Sequence, residues 1–152
     1  MTTIAASLEH QLIAADTRCS TDGWMVNVSK LRQGPNTAYG AAGTWEQVLK
    51  FYAAIEQNTE LSSECDVELL ELRADSIYLY NGSLICYPIK EKFWAIGTGA
   101  GYAIAAMYLG KDPIEAIRIA SLFDPGTGGE IEIMRISDGK PKSHRRRTDR
   151  TV

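Results

Sequence analysis

The chain has 152 residues and a formal charge of −3, and 45% of its residues are apolar, 9% aromatic and 23% charged, which is typical of one soluble globular domain. Its three cysteines, Cys19, Cys65 and Cys86, form no CxxC pair and only two histidines are present, which argues against a disulfide framework, a zinc knuckle and a His-rich metal centre. No apolar run approaches the roughly 18 residues of a membrane span and no basic export signal opens the chain, so we expect a cytoplasmic protein.

The first half of the chain is predicted to form strands followed by one helix. Two runs of small and branched residues, 3–6 and 12–15, flank a polar turn and predict an opening hairpin. Strands are also predicted over 24–28 and 37–42, with a Gly-Pro-Asn turn at 34–36 before the second. Apolar residues then recur at helical spacing, which predicts a helix over 44–57. Thr44 and Gln47 at its start have the spacing of a capping box.

The second half predicts more strands and two adjacent helices. Strands are expected over 67–72, 77–80, 84–89 and 93–96, with Asn81-Gly82 as a hairpin turn between the second and third. A helix over 100–109 ends at Gly110. Asp112, Pro113 and Glu115 then have the pattern of a helix start, so a further helix runs to about residue 123. A last strand is predicted over 130–136. Hairpins with grouped helices favour an α+β domain over a parallel Rossmann sheet.

The glycines at 97–101 do not form a nucleotide-binding loop. Tyr102 stands where the dinucleotide fingerprint needs its third glycine, and the sequence holds no GxxxxGK[ST] motif. We therefore interpret these residues as a strand-to-helix turn.

The end of the chain differs in charge from the rest. Residues 1–139 carry ten Lys and Arg against eighteen Asp and Glu, whereas 140–152 carry six against Asp149 alone. This basic segment lacks apolar periodicity, so residues 138–152 are predicted to be a solvated, disordered tail after a single domain over 1–137. Contact of the tail with nucleic acid or an acidic surface is the alternative.

The start of the chain offers a nucleophile. A small second residue permits removal of the initiator methionine, which would give Thr2 a free α-amine. An α-amino group titrates near about 7.7 to 8.0, so its neutral fraction can accept the hydroxyl proton of the same residue. If Met1 stays attached, that amine is absent and the site is blocked.

Motifs along most of the chain occur in the order and approximate spacing of one family. These motifs are TTI at 2–4, AADTR at 14–18, SK at 29–30, GAAG at 40–43, AIGTG at 95–99 followed by Tyr102-Ala103, and FDPGTGG at 123–129. Together they resemble proteasome β subunits and the bacterial ring peptidase HslV, which are N-terminal nucleophile hydrolases.

The resemblance implies a role for each matching residue. Thr2 would be the nucleophile, with its own α-amine as the base. Lys30 would supply a positive charge beside it, and Asp16 would pair with that lysine. Gly43 matches the residue whose backbone N–H stabilises the oxyanion. Three further residues match a set that hydrogen-bonds the terminal amine, namely Thr98, Asp124 and Thr127. Another three match the positions that line an apolar specificity pocket, namely Cys19, Val28 and Ala41.

Each of these residues also has an ordinary interpretation. Asp16 could cap a turn, Lys30 could lie on the surface and Gly43 could belong to the turn before Thr44. Cys19 could be a small core residue. Their common match to one mechanism favours the catalytic interpretation.

The resemblance implies a four-layer αββα sandwich of two antiparallel sheets. Relatives place two long helices before the strand that begins near Val67, and only one fits here, so one helix is expected to be missing or shortened. It further implies a threonine-type peptidase acting on peptides or unfolded proteins, a homo-oligomeric ring, a possible ATP-dependent unfoldase partner, and neither a metal nor an organic cofactor. A small-molecule amidase on the same fold and a catalytically silent ring or scaffold subunit are the alternatives.

Overall fold

A computed structural model describes residues 1–61, 65–137 and 140–142. In these ranges the elements in chain order are β1 (Thr3–Ser7), β2 (Leu12–Asp16), β3 (Arg18–Thr21), β4 (Trp24–Asn27), β5 (Leu31–Gly34), β6 (Thr37–Gly43), α1 (Trp45–Gln57), β7 (Val67–Arg73), β8 (Ile77–Asn81), β9 (Cys86–Ile89), β10 (Phe93–Gly97), α2 (Ala100–Tyr108), α3 (Pro113–Phe123), β11 (Ile131–Ser137) and β12 (Lys140–Lys142). No helix in the described ranges is both long and apolar enough to span a membrane. The predicted α+β class is confirmed.

Two five-stranded sheets of antiparallel neighbours make up most of the fold. The first sheet has the order β10-β1-β2-β11-β12, and the second has the order β5-β6-β7-β8-β9. A separate two-stranded ribbon joins β3 to β4. The predicted opening hairpin is confirmed, since Ile4 pairs with Ala15. Because β10 pairs with the other edge of β1, the start of the chain lies inside the first sheet.

Three apolar cores hold the elements together. The core that includes Ile4, Ile13, Leu70 and Leu72 draws its residues from both sheets. A second core packs α2 and α3 on the first sheet, and a third packs α1 on the second sheet. Alternation along the strands explains this arrangement, because successive side chains point to opposite faces. On β7, for example, Leu70 and Leu72 lie in the first core whereas Val67 and Leu69 lie in the third.

The helix starts follow local signals unequally. Asp112 caps α3 as predicted, since its carboxylate accepts the N–H of Glu115 at 2.9 Å and Pro113 opens the helix. The capping box predicted for α1 is wrong. Thr44 makes no side-chain cap bond, and the side chain of Gln47 instead accepts the N–H of Asp66 at 3.2 Å. In the described ranges α1 is the one helix between β6 and β7.

The hairpin at Asn81-Gly82 exists, but its loop is longer than the predicted two residues. Tyr80 pairs with Cys86, so β9 begins two residues later than predicted. The N–H of Gly82 donates to the carbonyl of Val67 at 2.8 Å, and its own carbonyl accepts from Cys65 at 3.3 Å. Since these groups are bonded to the start of β7, they do not close a tight turn.

The segment that follows β11 is described only in part. Lys140–Lys142 forms β12, an edge strand in which Lys142 pairs with Arg135 of β11. The rest of the predicted tail, residues 138–139 and 143–152, lies outside the described residues.

Candidate active site

The N-terminal residues lie where β1 enters the first sheet. Met1 is 60% exposed, whereas Thr2 is only 5% exposed. The hydroxyl of Thr2 donates to the carbonyl oxygen of Met1 at 2.7 Å. The hydroxyl group of the candidate nucleophile is therefore held inside the protein and bonded to the carbonyl of the preceding peptide group.

Lys30 extends its side chain to the same carbonyl group. It lies between β4 and β5 and is 2% exposed. Its Nζ donates to Asp16 Oδ1 at 2.9 Å, to the carbonyl of Arg18 at 2.6 Å and to the carbonyl of Met1 at 3.5 Å. The Thr2 hydroxyl and the Lys30 ammonium thus converge on one oxygen atom.

Asp16 holds this ammonium at the end of β2. Its Oδ1 also accepts the N–H of Thr3 at 2.9 Å, and its Oδ2 accepts the N–H of Gly128 at 3.0 Å. Burial lowers the pKa of Lys30 and raises the pKa of Asp16, while the attraction between the two charges opposes both shifts. Both oxygens of Asp16 are hydrogen-bonded, which is what a buried carboxylate requires.

A second carboxylate, Asp124, lies at the end of α3 and binds two hydroxyl groups. Thr98 and Thr127 each donate to its Oδ2 at 2.6 Å, and the N–H of Gly126 donates to Oδ1 at 3.2 Å. Burial acts to raise the pKa of Asp124, but these bonds and the charge of the chain's terminal amine lower it below its ordinary value. The site therefore holds a second ionised carboxylate close to the N-terminus.

The hydroxyl chain from Asp124 reaches β1. The hydroxyl oxygens of Thr127 and Thr3 lie 2.6 Å apart and share a hydrogen bond. An ionised carboxylate only accepts hydrogen bonds, so Thr127 donates its hydroxyl proton to Asp124. The hydroxyl of Thr3 must therefore donate to the hydroxyl of Thr127. Thr3 thus binds both carboxylates, Asp16 through its N–H and Asp124 through this relay.

Two glycines allow the backbone to pack closely around the N-terminus. Gly97 has φ +96°, and a Cβ there would overlap the carbonyl of Thr2. A Cβ at Gly126 would overlap the side chain of Met1. Gly97 must be glycine because backbone atoms occupy the space of a side chain, whereas the space at Gly126 is filled by Met1 alone among its nearest neighbours.

No hydrogen bond in the described part of the chain ties Gly43 or the predicted pocket residues to Thr2. Gly43 is exposed at the end of β6 and pairs with Val67. Cys19 on β3 is half-buried and lies near enough to influence the charge of Lys30. Val28 is half-buried and donates its N–H to the carbonyl of Thr17 at 2.8 Å. Ala41 is 2% exposed and packs in the core beneath α1.

Sequence reasoning missed three side chains that support the site. Thr3 was noted only as part of a motif, although its N–H and hydroxyl bind opposite halves of the cluster. Tyr52 donates to the carbonyl of Lys30 at 2.5 Å, and Glu132 accepts the N–H of Lys30 at 2.9 Å. The apolar spacing of α1 placed Tyr52 in the core, which is correct, but no local signal indicated a bond to Lys30. In the described residues no group of His, Cys, Asp and Glu is arranged to hold a metal ion.

Known protein-family models and curated protein sequences give no match to this chain. Solved structures do. BPH from Thiobacillus denitrificans, in complex with epoxomicin, has a TM-score of 0.65 at 17% identity, covering 90% of this chain and 98% of its own. Eukaryotic HslV from Trypanosoma brucei has a TM-score of 0.67 at 17% identity, covering 87% of this chain and 97% of its own. The chain therefore shares their fold, and the resemblance seen in the motifs is confirmed at that level.

Proposed function

We propose that this protein is a threonine-type peptidase that cleaves peptide bonds with Thr2 after removal of Met1. One observation carries the proposal: the Thr2 hydroxyl and the Lys30 ammonium share the carbonyl oxygen of Met1, with Asp16 fixing the lysine at 2.9 Å. The arrangement brings a candidate nucleophile and a buried cation to one point, and nucleophilic catalysis at a carbonyl group requires both.

The reaction proceeds in two halves. Once Met1 is gone, the α-amine of Thr2 takes the proton of its own hydroxyl as Oγ bonds to the substrate carbonyl carbon. The C–N bond then breaks, and the leaving amine departs with that proton. Water next attacks the ester carbonyl and gives one proton to the α-amine of Thr2. The α-amine returns that proton to Oγ as the ester C–O bond breaks, so the carboxylic acid leaves and Thr2 is regenerated.

Charged and dipolar groups stabilise the transition state. Lys30 stabilises the developing alkoxide and also disfavours protonation of the nearby α-amine, which keeps that base neutral. Gly43 offers its N–H to the oxyanion, a contribution of about 3 to 4 kcal/mol where such a donor is well placed. Thr98, Asp124 and Thr127 hold the amine, and the half-buried Cys19 and Val28 line the apolar substrate pocket.

The wider assembly is part of the proposal. Three cores between two sheets and their flanking helices are consistent with a four-layer αββα sandwich. We further propose a homo-oligomeric ring in the cytoplasm that receives peptides or unfolded proteins, with an ATP-driven unfoldase as a possible partner. Large apolar side chains are exposed on β4 and at the ends of α2 and α3, namely Trp24, Met25, Tyr108, Leu109, Leu122 and Phe123. Exposure on this scale is typical of surfaces that other chains cover.

The test is the intact mass of the purified protein before and after epoxomicin, the compound bound in the BPH structure. For the wild-type protein we expect a mass that lacks Met1 and a single adduct of epoxomicin. Thr2→Ala should form no adduct and hydrolyse no fluorogenic peptide. Its urea unfolding midpoint should equal that of the wild type. A chain that keeps Met1 and forms no adduct would identify a silent subunit. Adduct formation with hydrolysis of simple amides but not of peptides would identify an amidase.

A further inference from the structure

The backbone of Lys30 is held by side chains rather than by a strand. Leu31 pairs with Gly40 at the start of β5, and continuing that register by one residue would set Lys30 opposite Ala41. The pairing stops there. The hydroxyl of Tyr52, from α1, accepts the N–H of Ala41 at 2.7 Å and donates to the carbonyl of Lys30 at 2.5 Å. One hydroxyl group is thus inserted where a direct ladder bond would form.

A carboxylate holds the other end of the same residue. Oε2 of Glu132, on β11, accepts the N–H of Lys30 at 2.9 Å and the N–H of Leu31 at 3.3 Å. Glu132, on the first sheet, thus accepts the N–H of both peptide groups of Lys30, and Tyr52, on the helix that packs on the second sheet, donates to the carbonyl oxygen between them. This fixes the backbone from which the side chain reaches Asp16.

We propose that Tyr52 and Glu132 are positioning residues for the Lys30 ammonium, holding its backbone off the β5–β6 ladder so that Nζ stays on Asp16. The inference rests on the proposed function for its kinetic consequence. Tyr52 also binds Ala41, which precedes Gly43 by two residues in β6. A single hydroxyl therefore links the strand of the candidate oxyanion donor to the candidate active-site cation.

Burial makes this role difficult to replace. Tyr52 is 2% exposed, and Tyr39 packs edge-on against its ring at 5.7 Å. Without the hydroxyl, the carbonyl of Lys30 and the N–H of Ala41 either stay unpaired inside the protein or bond to each other directly. Direct bonding would draw Lys30 toward β6 and away from Asp16. The loss of that contact lowers the pKa of Lys30 further, because the charge of Asp16 raises it.

The test compares Tyr52→Phe with Tyr39→Phe in the full chain. Tyr39 belongs to the same aromatic pair, but its hydroxyl donates to Glu56 at 3.4 Å, away from Lys30. We expect Tyr52→Phe to lower kcat about 10-fold or more, the scale of a misplaced electrostatic group, with little change in KM. We also expect it to shift the NMR signal and the pKa of the Lys30 ammonium. Tyr39→Phe should do neither.

Glu132 provides a second pair of variants if Tyr52→Phe does not fold. Glu132→Ala should lower kcat and shift the Lys30 signal, whereas Glu132→Gln keeps an acceptor oxygen and should restore most of kcat. Wild-type kcat together with an unchanged Lys30 signal in Tyr52→Phe or Glu132→Ala would overturn the proposal, whatever their thermal stability. If the wild-type protein hydrolyses no peptide, the proposed function fails, but the Lys30 signal still decides whether these residues position it.

Discussion

Two ion pairs in this protein have similar bond lengths but very different surroundings. Lys30 and Asp16 meet at 2.9 Å with side chains 2% and 1% exposed, whereas Arg73 and Glu71 meet at 2.8 Å with side chains 36% and 11% exposed. Arg73 also lies over the ring of Tyr78 at 3.7 Å and borders a cavity of about 910 Å³. The first pair is sealed between strands, and the second is partly in contact with solvent.

The difference shows which pair needs an explanation beyond stability. Moving two charges out of water costs more than their attraction generally returns, and apolar replacements of buried pairs are often neutral or stabilising. An ion pair as deeply buried as Asp16–Lys30 is therefore poorly explained as a device for stability. Lys30 and the Thr2 hydroxyl both bond to the carbonyl oxygen of Met1, which is consistent with the catalytic role proposed for this pair. The Arg73–Glu71 pair is adequately explained by local packing and hydrogen bonding.

The largest expected effect separates the two cations by activity. Lys30→Ala should lower kcat/KM for a peptide substrate at least about 100-fold, the scale of a lost electrostatic contact in the transition state. Arg73→Ala should leave it within about 3-fold, since the side chain of Arg73 contacts Glu71, Tyr78 and Cys86, away from the candidate site. Steady-state assays of both variants beside wild type provide the measurement. Full turnover by Lys30→Ala, or an equal loss in Arg73→Ala, would contradict the comparison.

The next largest expected effect is a difference in unfolding free energy between variants of the two ion pairs. Lys30→Met leaves the Asp16 carboxylate buried without its cation and should cost about 3 to 5 kcal/mol of unfolding free energy. Adding Asp16→Asn should recover much of that loss, because an amide needs no counter-charge. Arg73→Met should cost less than about 1 kcal/mol, since solvent screens a charge that is a third exposed.

Urea unfolding of the four proteins measures these differences. A double variant less stable than Lys30→Met alone would show that Asp16 is held mainly by its bonds to Thr3 and Gly128. Equal losses in Lys30→Met and Arg73→Met would remove the distinction between the pairs.

A smaller effect concerns Asp124, a carboxylate whose side-chain partners are hydroxyl groups rather than a cation. Its pKa lies below the ordinary value of 3.8, so its stabilising contribution is present above that pH and is lost as the pH falls through the lower folded value. Wild type should therefore exceed Asp124→Asn by about 1.5 to 3 kcal/mol at pH 6, and the gap should close below pH 3.8. Urea unfolding at a series of pH values tests this, and a gap that widens on acidification would contradict it.

Part of this picture could be predicted from the sequence and part could not. Short-range patterns predicted the hairpins and the start of α3 because the groups that decide them lie within a few residues of each other, as Asp112 and Glu115 do. The order of the motifs along the chain, which resembles that of a known family, also indicated Thr2, Asp16 and Lys30 as candidate site residues.

What the sequence could not predict depends on distant contacts. Thr3 bonds to Thr127, 124 residues away, and Lys30 bonds to Glu132, 102 residues away. The capping box at Thr44 failed for the same reason, since the side chain of Gln47 accepts the N–H of Asp66, 19 residues further along the chain. Periodicity placed Tyr52 on the buried face of α1, but it contains no information about which backbone groups a buried hydroxyl will meet.

The bond between Thr3 and Thr127 also has a consequence for biosynthesis. A ribosome makes residue 3 long before it makes residue 127, so a growing polypeptide carries Thr3 while the loop that binds it does not yet exist. Asp16 likewise lacks its Gly128 partner until residue 128 has been synthesised. The hydrogen bonds that hold the candidate site together therefore form only after the segment at residues 127 and 128 has been synthesised.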